Sequence, residues 1–256
     1  MPADERRVAL FIDADNSPAL YIDVILAELA RHGTVCIRRA YGNWKSERLN
    51  GWESVLNLHA IQPVHQIDYT KGKNATDLAL AIDVMDALYG RDIDVFAIAS
   101  SDSDFTPLAV RLQADGKKVI GFGERKTPAA LVNACSTFLY LEQEEHVGAA
   151  ADNGSNSVAP RDAKALKSDT RLMKLLRTAI HAAEDDQGWA GLSKVGSLIG
   201  NQASFDSRNY GYKKLGDLFE AIDLFEVTRR DGHPFVREKK RKSGSAANAD
   251  SEADTA

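Results

Sequence analysis

The sequence predicts an α/β protein: a parallel sheet flanked by helices, followed by a small helical module that ends in a hairpin. Three observations carry this reading. Across residues 8–141, short runs of strand formers alternate with stretches of helical period, the pattern of βαβ units. Near residue 147 that pattern gives way to VGAAADNGSNSVAP, which is small, polar and aperiodic and reads as a flexible linker. Beyond it, helical periodicity returns and closes on an Asp-Gly hairpin signal.

Strands are expected at 8–13, 35–41, 61–67, 94–99, 118–122 and 138–141, with helices at about 18–32, 46–57, 74–89, 105–115 and 128–135. Right-handed crossovers between parallel strands would place those helices on both faces of the sheet. Thr127 followed by Pro128 reads as an N-cap and a first-turn proline. In the second module, helices are expected at 170–184, 192–200 and 209–222, then a hairpin in LFEVTRRDGHPFVRE centred on Asp231-Gly232. The domains predicted are 1–146, a linker at 147–168, a winged-helix-like module at 169–242 and a disordered tail at 243–256.

The chain has 256 residues, 44% of them hydrophobic and 27% charged, with a net charge of −5, so any nucleic-acid surface must be a local patch. Cys36 and Cys135 lack metal-ligand spacing and are expected as reduced core thiols. No signal-peptide pattern or long apolar span is seen, and the expected location is the cytoplasm, with no membrane partner.

Acidic residues gather where strands should end. The first strand runs into Asp13-Ala14-Asp15-Asn16, and the fourth into Ser100-Ser101-Asp102-Ser103-Asp104. Asp77 falls in the first turn of the helix after the third strand. Ligands of open parallel sheets bind outside the carboxyl ends of the strands. Carboxylates crowded there repel one another unless a hard divalent cation sits among them. Asp77, Asp102 and Asp104 also suit helix caps and first turns. Asp83 lies six residues past Asp77, about 240° round a helix, and is expected to be structural.

FIDADN, KNATDLALAIDVMDALY, SSDSDFTPLAVRLQADGKKVIGFGERKTP and VNACSTFLYLE together resemble the NYN domain, a branch of the PIN-like metal-dependent ribonucleases, over nearly all of residues 6–145. The resemblance implies a PIN-like Rossmannoid sheet and hydrolysis of RNA phosphodiesters with Mg²⁺ or Mn²⁺. The site residues it implies are Asp13, Asp77, Asp102 and Asp104, with Asp13 and Asp102 as direct ligands. Asn16 and Ser101 would hold the loop or a substrate phosphate. Many NYN domains have glycine at Ala14 and no acid at Asp15, so Asp15 either adds a ligand or shapes the loop. Lys71, Lys73, Arg125 and Lys126 are the cations expected to offset the acids toward RNA.

The stretch from Leu172 to Val227, with Gly188-Trp189 and FDSRNYGYKKLGDLF, resembles the LOTUS or OST-HTH domain over about 170–238. That resemblance implies a winged helix binding RNA or a protein partner. Arg208, Tyr210, Tyr212, Lys213 and Lys214 mix cations with aromatics, as suits phosphates and stacked bases. Residues 229–242 add seven Lys/Arg against two acids. Trp189 and Phe205 are expected in the core.

The function expected is a metal-dependent ribonuclease whose tethered module raises the local concentration of RNA. The alternative is a non-catalytic RNA-binding adaptor. A third reading, a phosphatase with Asp13 as nucleophile, follows from the strand-then-DxD pattern alone.

Overall fold

β1 (Arg7–Asp13) fixes the layering of the N-terminal domain. Its residues alternate between two cores, Ala9 and Phe11 facing one and Val8, Leu10 and Ile12 the other. A strand buried on both faces has no polar face, which is why VALFI reads as one apolar run. The computed structural model describes residues 6–66, 74–141, 159–230 and 232–239.

Five more strands join β1: β2 (Thr34–Gly42), β3 (Gln62–His65), β4 (Val95–Ala99), β5 (Lys118–Gly123) and β6 (Thr137–Tyr140). All pair in parallel, in the order β3-β2-β1-β4-β5-β6. The chain winds outward from β1 to β3, then returns to the other side of β1. A crevice therefore opens between the ends of β1 and β4. On the Phe11 face lie α3 (Ala75–Gly90), α4 (Thr106–Ala114) and α5 (Ala129–Ala134). On the other face lie α1 (Ile22–Ala30) and Trp52, which heads α2 (Glu53–Leu58).

Glycine at position 121 follows from packing. A Cβ there would stand 2.4 Å from the Phe138 ring and 2.8 Å from Cys135 Sγ, in mid-sheet. Gly121→Ala is expected to cost about 1–3 kcal/mol by overpacking, read as a lower denaturation midpoint at unchanged slope.

The second domain contains α6 (Ala163–Ser168), α7 (Thr170–His181), α8 (Leu192–Gln202) and α9 (Leu215–Ile222). Its three-stranded sheet has the order β7-β9-β8, from β7 (Ala190–Gly191), β8 (Phe225–Arg230) and β9 (His233–Glu238). Leu172, Leu176, Val195, Ile199, Leu218 and Phe219 fill one core. Trp189 is buried beneath the guanidinium groups of Arg230 and Arg237, 4.7 and 4.3 Å from its ring. Phe205 is half-buried, stacked on Tyr210.

Several sequence expectations shift. The first helix begins at Ile22, after a tight turn at Ala19–Tyr21 that Pro18 opens. Pro128, not Thr127, caps α5; Thr127 Oγ1 instead donates to the Glu124 carbonyl at 2.6 Å. Cys36 is exposed and only Cys135 is a core thiol, pushed up to about 12 by burial. The stretch read as linker to 168 already holds α6, capped by Asp162. The helix expected over 209–222 is broken at Gly211, which turns left-handed at φ +87° with the Ala159 carbonyl where a Cβ would go. The β8–β9 hairpin forms, while Asp231 itself lies outside the described residues.

The two domains touch through specific bonds. Arg208 forks onto Glu28 of α1, with Nη1 and Nη2 donating at 2.5 and 2.9 Å, and also pairs with Asp206. Asn209 caps the edge of β6: its Nδ2 donates to Phe138 O at 2.8 Å, and its Oδ1 accepts from Tyr140 N at 3.4 Å. Arg171 Nη2 donates to Asn133 Oδ1 at 2.6 Å. The open edge of the sheet is thus covered by the second domain.

Candidate active site

Asp13 is the last residue of β1 and is fully buried. Its Oδ2 accepts from Ser100 Oγ at 2.8 Å and Asn16 Nδ2 at 2.9 Å, and its Oδ1 from Asn16 N at 3.3 Å. Burial raises the Asp13 carboxyl above its ordinary value, and these hydrogen bonds oppose the rise. Ser17, behind it, donates to the Ala99 carbonyl at 3.0 Å and joins the ends of β1 and β4.

From the β4 side, Asp102 caps the turn Ser103–Phe105, accepting from Asp104 N at 2.9 Å. Its own N–H donates to Ser100 Oγ at 3.1 Å, so Ser100 links Asp102 to Asp13. Ser101 Oγ accepts from Glu124 N at 2.9 Å, tying the end of β4 to that of β5. From the third side comes α3. Asp77 lies in its first turn, half-buried. Asn74 Nδ2 donates to Asp104 at 2.7 Å, and Thr76 Oγ1 to Asp15 at 3.3 Å.

Asp77 reports the electrostatics of the crevice. Burial first, then the charges of Asp13, Asp102, Asp104 and Asp15, push its carboxyl up to about 6. Among the described residues no ion pair is seen at Asp13, Asp77, Asp102 or Asp104. A carboxyl raised in the folded state costs stability in full above that value, and the cost fades as pH falls toward its ordinary value of 3.8, where both states take up the proton. Asp77→Asn is therefore expected to raise the melting temperature of the metal-free protein at pH 7.5. The gain should vanish by pH 4, as differential scanning calorimetry at the two pH values would read.

The donors are all hard oxygens, which fits Mg²⁺ or Mn²⁺ and not a soft metal. Among the described residues no three His, Cys, Asp or Glu side chains form a ready-made ion cage. Asp13, Asp102 and Asp104 are held by Ser100, Asn16, Asn74 and backbone N–H groups. Mg²⁺ keeps several waters and takes one or two carboxylates, so fewer than three protein ligands suffice for a hydrated ion.

The crevice brings together Asp13, Asn16, Asp77, Ser101, Asp102 and Asp104. Asp15 accepts from Thr76 Oγ1, and Asp83 accepts from Tyr41 Oη at 2.7 Å and Arg39 at 2.9 Å. Sequence reasoning missed Asn74, Thr76 and Ser100, although Asn-x-Thr at a helix start and serines among the acids were visible signals.

The cations are placed differently. Lys71 and Lys73 lie outside the described residues. Lys126 is exposed and pairs with Glu124 at 2.6 Å, and Arg125 is half-buried with its guanidinium 5.6 Å from the Tyr140 ring. Three side chains expected to bind RNA have partners within the protein. Arg208 holds Glu28 and Asp206, Tyr212 Oη donates to Arg161 O at 2.6 Å, and Tyr210 packs between Phe205 and Arg161. Lys213 and Lys214 remain exposed beside α9. Arg230, Arg237 and Lys239 pair with Asp185, Glu226 and Asp223, so the basic run near the end is partly neutralised.

Comparison with known proteins agrees with this architecture. The NYN domain family matches residues 7–142, a little over half of the chain, and the OST-HTH/LOTUS domain family matches 165–236, which takes in most of α6. An uncharacterized protein of Methanocaldococcus jannaschii, MJ0482, is 29% identical over 146 residues, covering 55% of this chain and 57% of its own length. This chain therefore spans little more than half of that relative. A crystal structure of a protein of unknown function from Vibrio parahaemolyticus, VPA0982, aligns at 18% identity with a TM-score of 0.45, over 56% of this chain and 96% of that one. No helix among the described residues is long and apolar enough to cross a membrane. The chain belongs to the NYN domain family, a branch of the PIN-like nucleases, and carries an OST-HTH/LOTUS domain behind it, which at family level is the architecture of an RNA-acting nuclease.

Proposed function

We propose that the protein is a divalent-metal-dependent ribonuclease that hydrolyses RNA phosphodiesters in the crevice between β1 and β4. The observation that carries this reading is the meeting of Asp13, Asp77, Asp102 and Asp104 at the ends of β1, β4 and α3, tied together through Ser100, Asn16 and Asn74. Asp13 and Asp102 would hold Mg²⁺ or Mn²⁺ directly, and Asp77 and Asp104 directly or through water. The ion, when bound, would polarise a phosphoryl oxygen and lower the pKa of the attacking water. Ser100 and Asn16 keep the Asp13 carboxylate oriented, and Asn74 does the same for Asp104. Asp77, in the first turn of α3, would otherwise orient the attacking water. The OST-HTH/LOTUS domain supplies RNA affinity, with Lys213 and Lys214 exposed for phosphates; a protein partner on that domain is a further role open to it.

The test combines binding and turnover. Mg²⁺ and Mn²⁺ should each raise the melting temperature of the protein, and either should permit cleavage of labelled single-stranded or structured RNA, with none in EDTA. RNA binding without cleavage in every metal would replace this reading with that of an adaptor.

A further inference from the structure

Beside the acidic crevice lies a cavity of about 660 Å³, on the α1–α2 side of the turn after β1. Its volume is within the range of small-ligand pockets. Part of its wall is apolar, from Ala14, Leu49, Trp52 and Val55, and Leu20 in the lining is 63% exposed. Trp52 is buried and braced edge-on by Trp44, with ring centroids 6.4 Å apart. Arg48 and Lys126 line it too, beside the acids Asp15 and Glu124, and Glu124 pairs with Lys126 at 2.6 Å. Asn16 and Lys126 also line a smaller cavity of about 270 Å³ over Ser101 and Asp102, so the two spaces are neighbours. Asp15 belongs to both sides, lining the larger cavity while bonded to Thr76 at the head of α3.

One residue of the lining is conspicuous for lacking a side chain. Gly51 lies in the tight turn Glu47–Trp52, where its φ is not left-handed. A Cβ built on it meets no heavy atom within 4 Å. Neither conformation nor packing requires glycine here, and glycine in a helical turn costs about 0.5–1 kcal/mol against alanine. It lines the cavity without adding a side chain to it.

We infer that this cavity seats the base of one unpaired nucleotide flanking the bond that is cleaved, with Gly51 and Arg48 setting which bases enter. The inference rests on the ribonuclease reading for its place in a reaction, though not for the binding itself. A cavity with one apolar wall and polar groups and an arginine in the rest of its lining suits a planar base, which offers apolar faces and hydrogen-bonding edges. A base in a duplex is stacked on both faces and does not enter, so the subsite selects single-stranded RNA. The Arg48 guanidinium offers the planar cation on which unstacked bases pack.

The four nucleoside 5′-monophosphates and inorganic phosphate, titrated separately into the full chain with and without Mg²⁺, would be followed by amide and Trp52 indole NMR shifts. Nucleotides should move residues 14–20 and 48–55, one base binding at least threefold better than the weakest, and inorganic phosphate should leave them unmoved. Gly51→Leu should weaken nucleotide binding at least tenfold at an unchanged melting temperature, and should flatten the base preference beside the cut in RNA. If that variant fails to fold, Arg48→Ala, at an exposed position, should weaken binding about fivefold. Equal shifts from inorganic phosphate, or wild-type binding by both variants, would overturn the inference. Gly51-dependent nucleotide binding without RNA cleavage keeps the subsite and removes the nuclease reading; cleavage with no nucleotide seated does the reverse.

Discussion

Asp102→Asn and Asp13→Asn are each expected to reduce RNA cleavage by about 10³-fold or more while leaving the fold intact, the several kcal/mol that a catalytic ion contributes. The fold should survive for reasons particular to each site. Asp102 caps the turn at 103–105, and asparagine caps as well as aspartate. Asp13 is bonded to Ser100 and Asn16, and an amide keeps one acceptor while removing a buried charge. Both variants should therefore melt at or above the wild-type temperature without metal, and both should lose the stabilisation that Mn²⁺ gives. Calorimetry with and without Mn²⁺, beside a single-turnover assay, reads both effects. A variant that unfolds, or one that cleaves at the parental rate, would contradict the assignment.

The second large effect concerns the contact between domains. Burial alone would raise the Glu28 carboxyl, but hydrogen bonds from His32 and Arg208, with the charges of Arg208 and Arg31, outweigh it and hold it at about 2. Because that value is below the ordinary one, the contact is fully present above about pH 4.5 and is lost as pH falls toward 2. Arg208→Ala would leave Glu28 buried without its main partner. Removing one member of a buried pair costs about 3–5 kcal/mol, and less here, roughly 2 kcal/mol, because Arg208 is one-third exposed. Arg208→Ala is expected to increase the radius of gyration in small-angle scattering and to split one melting transition into two. The double variant with Glu28→Ala should be milder than the sum of the single changes, since both charges are then gone. An unchanged scattering profile for Arg208→Ala would show that the domains are held by other contacts.

That contact also marks the limit of what the sequence disclosed. The sheet was legible because its central strands β1, β4 and β5 are buried on both faces and bounded by turn residues, so periodicity and punctuation agreed. The acids were legible because Asp13, Asp77 and Asp102 each end a strand or open a helix, and the topology of a parallel sheet gathers such positions at one edge. Arg208 was not legible. Beside Tyr210 and Tyr212 it has the composition of a nucleic-acid surface, yet its partner Glu28 is 180 residues away in sequence and no local pattern announces the pair. Asn74 and Ser100 were hidden differently. Each is a polar residue at a helix start or strand end, and only the fold shows that it orients a neighbouring carboxylate.

The measurement that tests the central claim most directly is a single-turnover cleavage assay on labelled single-stranded RNA, comparing the full chain with Asp102→Asn in Mg²⁺, in Mn²⁺ and in EDTA. Metal-dependent cleavage by the wild-type chain that disappears in the variant and in EDTA is the predicted result. Cleavage that survives EDTA, or that Asp102→Asn performs at the wild-type rate, would contradict it.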